Sequence, residues 1–257
     1  MSQIQLTQDQ GVACIVIDDE ARYNAMSLSM WVDLKLAFDK IENDQSVRVV
    51  VMRGAGEKAF VSGANITEFE TQRNSHTAVS NYNLRVAQAL NAIAESRVPV
   101  IAAISGICYG GGLELALSCD MRYCAPLSKF RMPAARLGLG YSLDGMQKIL
   151  KNLSPIVAAE VFYTAKVYKA SEAMEMGLVN SVQTDVFMHV AQVAAEIANN
   201  APLTIRAAKQ AMNSITHGSP KDRDGIDQMV EACFQSKDYA EGRLAFSQKR
   251  DPQFTGR

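Results

Sequence analysis

Short, almost wholly apolar runs alternate along this chain with longer stretches of helical spacing. VACIVI, at 12–17, reads as a buried strand, and the turn-rich DDEARYN after it leads to Ser27, a good helix N-cap. Trp31, Leu34, Phe38 and Ile41 then recur every three or four residues, which predicts an amphipathic helix over 27–43. Buried strands are expected at 47–52 and 58–61, the second running into Ser62-Gly63-Ala64-Asn65-Ile66. The polar segment 67–76 reads as a mobile loop, and helical periodicity returns over 78–94.

The stretch 98–119, VPVIAAISGICYGGGLELALSC, is the most apolar of all, yet it contains Pro99, several glycines and a carboxylate. Those residues argue against a lipid-spanning helix and for a buried strand over 98–104, a turn at Ser105-Gly106, and a helix beginning near Gly110. Gly110, Gly111 and Gly112 allow another backbone or a ligand to approach closely and leave N–H groups free at the helix start, where negative charge is favoured. Glu114 lies in the first turns of that helix. The helix dipole favours its charged form and apolar surroundings its neutral form, opposed pushes that suit a group which both accepts and donates a proton. A structural Glu that satisfies a helix terminus or pairs with an Arg is the competing interpretation.

Short strands are expected at 121–125 and 129–132, a helix at 142–152, a helix opened by Pro155, a short one capped by Ser171, and a last strand at 178–182. Strands alternating with helices to about residue 183 argue an α/β core with a largely parallel sheet. Beyond Val186 the pattern is helical only, with segments at 203–217, 224–235 and 238–249 carrying enough apolar surface to need a neighbour. The expected division is therefore a core over 1–195 and a helical, oligomerising region over 196–257.

Composition narrows the function classes. Of 257 residues, 48% are hydrophobic and 21% charged, with a net charge of −1, which suits a globular protein and gives no reason to expect nucleic acid or a membrane as partner. The beginning, MSQIQLTQDQ, lacks a basic and an apolar leader region and the end, FTGR, is no sorting signal, so a cytoplasmic location is expected. The five cysteines form no CxxC and the three histidines no HExxH-like spacing, so no metal site is expected. Gly140 to Gly145 has P-loop spacing but is followed by Met146-Gln147, and no GxGxxG follows the first strand.

Two segments could supply N–H donors to one oxygen: the turn Ser62-Gly63-Ala64-Asn65-Ile66 and the Gly110-Gly111-Gly112 helix start. Such a pair could stabilise the enolate of a thioester. Either cluster alone is commonly just a tight turn. Together with Asn24-Ala25-Met26, Ala59-Phe60, Pro99-Val100-Ile101-Ala102-Ala103, Ala170-x-x-Ala173-x-x-x-Gly177-Leu178-Val179 and Glu241-Gly242-x-x-Ala245-Phe246-x-x-Lys249-Arg250, they make the chain resemble the crotonase, or enoyl-CoA hydratase/isomerase, superfamily from about Gly11 to Phe254. The resemblance implies an α/β spiral of ββα units with a C-terminal helical domain, assembled as a homotrimer or homohexamer. It implies an acyl-CoA substrate, with coenzyme A part of that substrate and no separate cofactor. By the same resemblance, the amides of Ala64 and Gly111 form an oxyanion hole. Gly63, Asn65 and Ile66 flank it, Arg22 lies near CoA, and Phe246 and Lys249 reach a CoA bound at a neighbouring subunit, although Arg22 and Lys249 could equally be solvated surface charges.

Two positions depart from the family pattern. Asn65 stands where Asp is common. More seriously, hydratases of the family carry a second glutamate after a proline, and in Phe130-Arg131-Met132-Pro133-Ala134 that position is Ala134. Adding water across an enoyl thioester needs base and acid work that two carboxylates naturally share. Glu114 could do both, or Asp144, with Tyr141 nearby, could assist; Asp144 could equally be a helix-start residue. The expected function is an enoyl-CoA hydratase-like lyase. The alternatives are another enolate reaction, such as isomerisation, decarboxylation or hydrolysis, and a non-catalytic acyl-CoA-binding protein.

Overall fold

The computed structural model describes residues 2–68, 75–216 and 223–257, the side chains of Ile66 and Asp144 excepted. Most of the loop expected at 67–76 thus lies outside the described residues. The chain opens with a hairpin of β1 (Gln3–Asp9) and β2 (Val12–Asp18), followed by α1 (Leu28–Asn43). Three turns of a spiral come next: β3 (Val49–Gly54), β4 (Ala59–Val61) and α2 (His76–Ala94); then β5 (Val100–Ile104), β6 (Ile107–Tyr109) and α3 (Gly111–Ser118); then β7 (Met121–Cys124) and β8 (Lys129–Arg131) with α4 (Ala134–Leu137), α5 (Leu143–Asn152) and α6 (Pro155–Thr164). After β9 (Tyr168–Lys169), α7 (Ala170–Glu175) and β10 (Ser181–Val182) the described chain is helical, with α8 (Val186–Asn199), α9 (Pro202–Thr216), α10 (Arg223–Gln235) and α11 (Lys237–Gln248).

The first strand of each pair joins a six-stranded sheet ordered β1-β2-β3-β5-β7-β10, and the second joins a four-stranded sheet ordered β4-β6-β8-β9. Parallel pairing runs from β2 through β3, β5 and β7 to β10, and from β4 through β6 to β8. Each ββα unit therefore contributes one strand to each sheet before its helix turns back, which is the expected spiral.

The large sheet is covered on both faces, as its continuous apolar strands require. Val50, Met52, Val100, Ala102 and Ile104 face the main core with Trp31, Leu34, Phe38 and Ile41 of α1, and fully burying each large side chain there contributes about 1.5–3 kcal/mol. The alternate residues Val49, Val51, Ile101 and Ala103 pack against Val186, Val190, Ala194 and Ala198 of α8. Ser27 caps α1 as expected, its hydroxyl accepting from Met30 N at 3.2 Å.

Several local expectations need correction. Strand β1 was missing from the sequence pattern because, as an edge, it keeps half-exposed and polar positions on both faces. The segment before α3 holds the extra strand β6. The last strand is only Ser181–Val182 rather than 178–182, because Leu178 and Asn180 turn to bond Arg122: its Nε donates to Leu178 O at 2.8 Å and its backbone N to Asn180 Oδ1 at 2.8 Å. Ser171 lies inside α7, whose N-cap is Lys169, with the Glu172 carboxylate accepting from the Lys169 backbone N at 2.8 Å. No helix among the described residues is long and apolar enough to cross a membrane.

Candidate active site

Strand β4 and the start of α3 come together because of a glycine. A side chain at Gly112 would place its Cβ 2.2 Å from Val61 O, so only glycine lets the helix press against the end of β4. Gly110, at φ 51° and ψ −118°, makes the turn into the helix, and its N–H donates to Arg131 O of β8 at 2.9 Å. The helix is anchored at its other end by the buried Arg122, whose Nη1 donates to Cys119 O at 2.7 Å, a cation set against the negative helix terminus. Burial pushes that guanidinium's pKa down.

The turn after β4 is fixed just as firmly. Met26 N–H donates to Gly63 O and Asn65 N–H to Met26 O, both at 2.8 Å, which leaves the intervening Ala64 N–H outside these backbone bonds. Gly111, at the first helical position, has no intrahelical acceptor for its N–H. The point where a Cβ on Gly111 would stand is 3.9 Å from Ala64 N. Two main-chain amides with no acceptor shown among the described residues thus lie near one another.

They open on a cavity of about 450 Å³ that Glu114 and Ala134 also line. Its walls are mainly apolar: Trp31, a stripe of α2 residues (Val79, Tyr82, Val86 and Leu90), and Met132, Leu137, Leu139, Tyr141 and Ile149. Tyr141 donates its hydroxyl to Met132 Sδ at 3.2 Å and meets Phe162 edge-on, with centroids 4.8 Å apart. Among the described lining residues, Glu114 and Lys148 are the charged ones. The arrangement suits a small acyl group whose carbonyl accepts from both amides while its carbon skeleton lies over Glu114.

The profile of the enoyl-CoA hydratase/isomerase family matches residues 7–257. The chain belongs to that family. It is 31% identical to a carnitinyl-CoA dehydratase of Proteus mirabilis, with 100% of each chain covered. It is 30% identical to a short-chain-enoyl-CoA hydratase of Clostridium acetobutylicum, covering 97% of this chain and 96% of the relative. A crystal structure of an enoyl-CoA hydratase/carnithine racemase from Magnetospirillum magneticum superposes with a TM-score of 0.93 at 37% identity, covering 100% of this chain and 97% of that one.

Within this member of the enoyl-CoA hydratase/isomerase family, the sequence-predicted residues fall into two groups. Glu114, Ala64, Gly111 and Gly63 meet in the cavity. Arg22, Asn65, Phe246 and Lys249 are not among its lining residues. Arg22 closes a short 3-10 turn and pairs with Asp19 at 3.2 Å while its side chain stays 56% exposed. Asn65 is buried and turned inward, its Oδ1 accepting from Thr67 N at 3.1 Å and Thr67 Oγ1 at 2.8 Å, so its side chain serves the turn. Phe246, 87% exposed, borders a separate apolar groove of about 710 Å³ with Ala207, Phe234, Tyr239 and Phe254, and Lys249 caps α11 in the left-handed region. The backbone of Asp144 belongs to the first turn of α5; its side chain and that of Ile66 lie outside the described residues.

Sequence reasoning placed Trp31 only in the core and did not single out Lys148. The stripe along α2, spaced by three and four residues, was the available signal for a cavity wall, but helical periodicity alone does not distinguish a wall from packing. Among the described residues no group of His, Cys, Asp and Glu could hold a metal ion, and burial pushes the Cys119 and Cys124 thiols up to about 12, away from the nucleophilic thiolate.

Proposed function

We propose that this enzyme of the enoyl-CoA hydratase/isomerase family hydrates an enoyl-CoA thioester, with Glu114 as its acid and base and the amides of Ala64 and Gly111 holding the thioester oxygen. The observation that carries this reading is the juxtaposition of two amides, with no acceptor shown among the described residues, and one glutamate in a single apolar cavity. The Glu114 carboxylate takes a proton from water as the water oxygen bonds to the β-carbon. The electron pair of the double bond moves to the thioester oxygen, where the two N–H groups stabilise it; a comparable donor elsewhere contributes about 10²–10³ in rate. The resulting Glu114 carboxylic acid then returns its proton to the α-carbon, so water is added with no net change at the protein. Coenzyme A enters as part of the substrate. The exposed apolar side chains Phe234 and Phe246 favour assembly of the helical region into a homotrimer or homohexamer.

The position of Ala134, 4% exposed on the cavity wall, favours a second reading. With an alanine there, one carboxylate could instead shuttle a proton between carbons, giving double-bond isomerisation, or the enolate could arise by decarboxylation. Incubating the protein with crotonyl-CoA, longer 2- and 3-enoyl-CoAs and a malonyl-type thioester separates these outcomes. Hydroxyacyl products from the 2-enoyl substrates are expected; shifted double bonds or carbon dioxide would favour the second reading, and binding without turnover would leave an acyl-CoA-binding protein.

A further inference from the structure

Trp31 is buried to 1% exposure on the first turns of α1 and lines the cavity together with the residues of the two amides, Ala64 and Gly111. The chain immediately before it is tied to one of them through the Met26–Ala64 bridge, whose two backbone bonds are 2.8 Å each. The far edge of the indole packs against the residue that carries the other: Cζ2 and Cη2 lie 3.4 and 4.0 Å from where a Cβ on Gly111 would stand. The indole Nε1 is buried with no hydrogen-bond partner among the described residues. An unmet donor destabilises a fold, so the ring acts here through its breadth and stiffness and not through its polar group.

We infer that Trp31 is a positioning residue that sets the separation of the Ala64 and Gly111 amides, acting as a rigid wedge beneath the oxyanion hole. This deepens the reading given under Proposed function and rests on it for the identity of the hole, not for the wedge itself. A smaller side chain would leave the α3 start free to settle toward α1, and displacement of such donors by about 1 Å can cost roughly 100-fold in rate.

The test compares Trp31→Phe, which keeps a flat ring and removes the unmet N–H, with Trp31→Leu and Trp31→Ala. Expected is a fall in kcat on crotonyl-CoA of about 10–100-fold for the Leu and Ala variants, with KM changed less than about threefold, and a smaller fall for the Phe variant, which keeps a stiff ring but loses the edge that meets Gly111. A second readout needs no turnover: the carbonyl stretch of carbonyl-13C hexanoyl-CoA moves to lower frequency when bound to the parent, moves less on Trp31→Phe and least on Trp31→Leu. Equal carbonyl shifts on the parent and a folded Trp31→Leu protein would overturn the wedge. Absence of hydration by the parent, with the carbonyl shift and its dependence on Trp31 intact, would overturn the hydratase reading and leave the wedge standing.

Discussion

Lys209 of α9 reaches into the core and bonds Asp120 at 2.7 Å, at the junction between helix α3, which carries Glu114, and strand β7. The lysine is 3% exposed and also donates to Val98 O at 2.8 Å, while the same Asp120 oxygen accepts from Val100 N at 2.7 Å. One carboxylate thus joins the helical region, the start of β5 and the end of the active-site helix.

Asp120→Ala would leave that ammonium buried without its counter-charge. The expected loss is about 1.5–3 kcal/mol of stability, measured by urea unfolding, since the lysine is buried but the aspartate side chain is 30% exposed. A loss below about 1 kcal/mol would show that the bond is screened like a surface pair.

Glu114→Gln keeps size and shape while removing the proton-accepting function. Hydration is expected to fall by about 10²–10⁴-fold, with the dissociation constant for a saturated acyl-CoA changed less than about threefold by calorimetry. Unchanged turnover would place the acid and base work elsewhere.

Gly112→Ala tests the close approach that forms the site. Its methyl would stand 2.2 Å from Val61 O and 2.7 Å from Val61 Cβ, backbone and branched side chain with little room to yield. We expect a loss of about 1–3 kcal/mol in unfolding experiments, with reduced turnover in whatever protein folds. Gly177→Ala, where nothing lies within 4 Å but φ is +74°, controls for backbone strain alone.

The C-terminal segment is fastened to α11 by Glu241, which accepts from Arg250 at 2.6 and 2.9 Å and from Gln253 N at 2.9 Å. Those bonds, the Arg250 side chain first, hold the Glu241 pKa down from 4.5 to about 2. A folded-state pKa below the unfolded one stabilises at pH values above about 4.5, and the contribution is lost as the pH falls from there toward about 2. Amide exchange at Gln253 should therefore be slower in the parent than in Glu241→Gln at pH 5, and the two should converge near pH 2. A difference that stays constant with pH would contradict the assignment.

Much of this architecture was readable in the sequence because its signals are local. Ser27 before a helical period marks α1, and continuous apolar runs mark β3 and β5. What escaped is what long-range pairing decides. Strands β6 and β9 span three and two residues, too short for any period, and exist because β8 pairs with both. The central part of the site, from Gly63 and Ala64 to Gly111 and Glu114, was legible as two glycine-bearing turns. Its wall was legible only in part: Ala134 and Tyr141 were expected near the site, whereas Leu137 comes from α4, a single turn of helix with no periodicity to announce it. Arg22, Phe246 and Lys249 rested on resemblance alone, and within one chain they stand apart from the cavity.

In the mechanism we propose, the grip on the thioester oxygen consists of peptide groups, whereas the proton chemistry depends on one replaceable side chain. Mutational drift at Glu114 or Ala134 can therefore redirect the reaction while the means of stabilising an enolate is inherited untouched, since no substitution at Ala64 other than proline deletes its amide hydrogen. A scaffold so divided can acquire new chemistry without first losing its old foothold on coenzyme A esters.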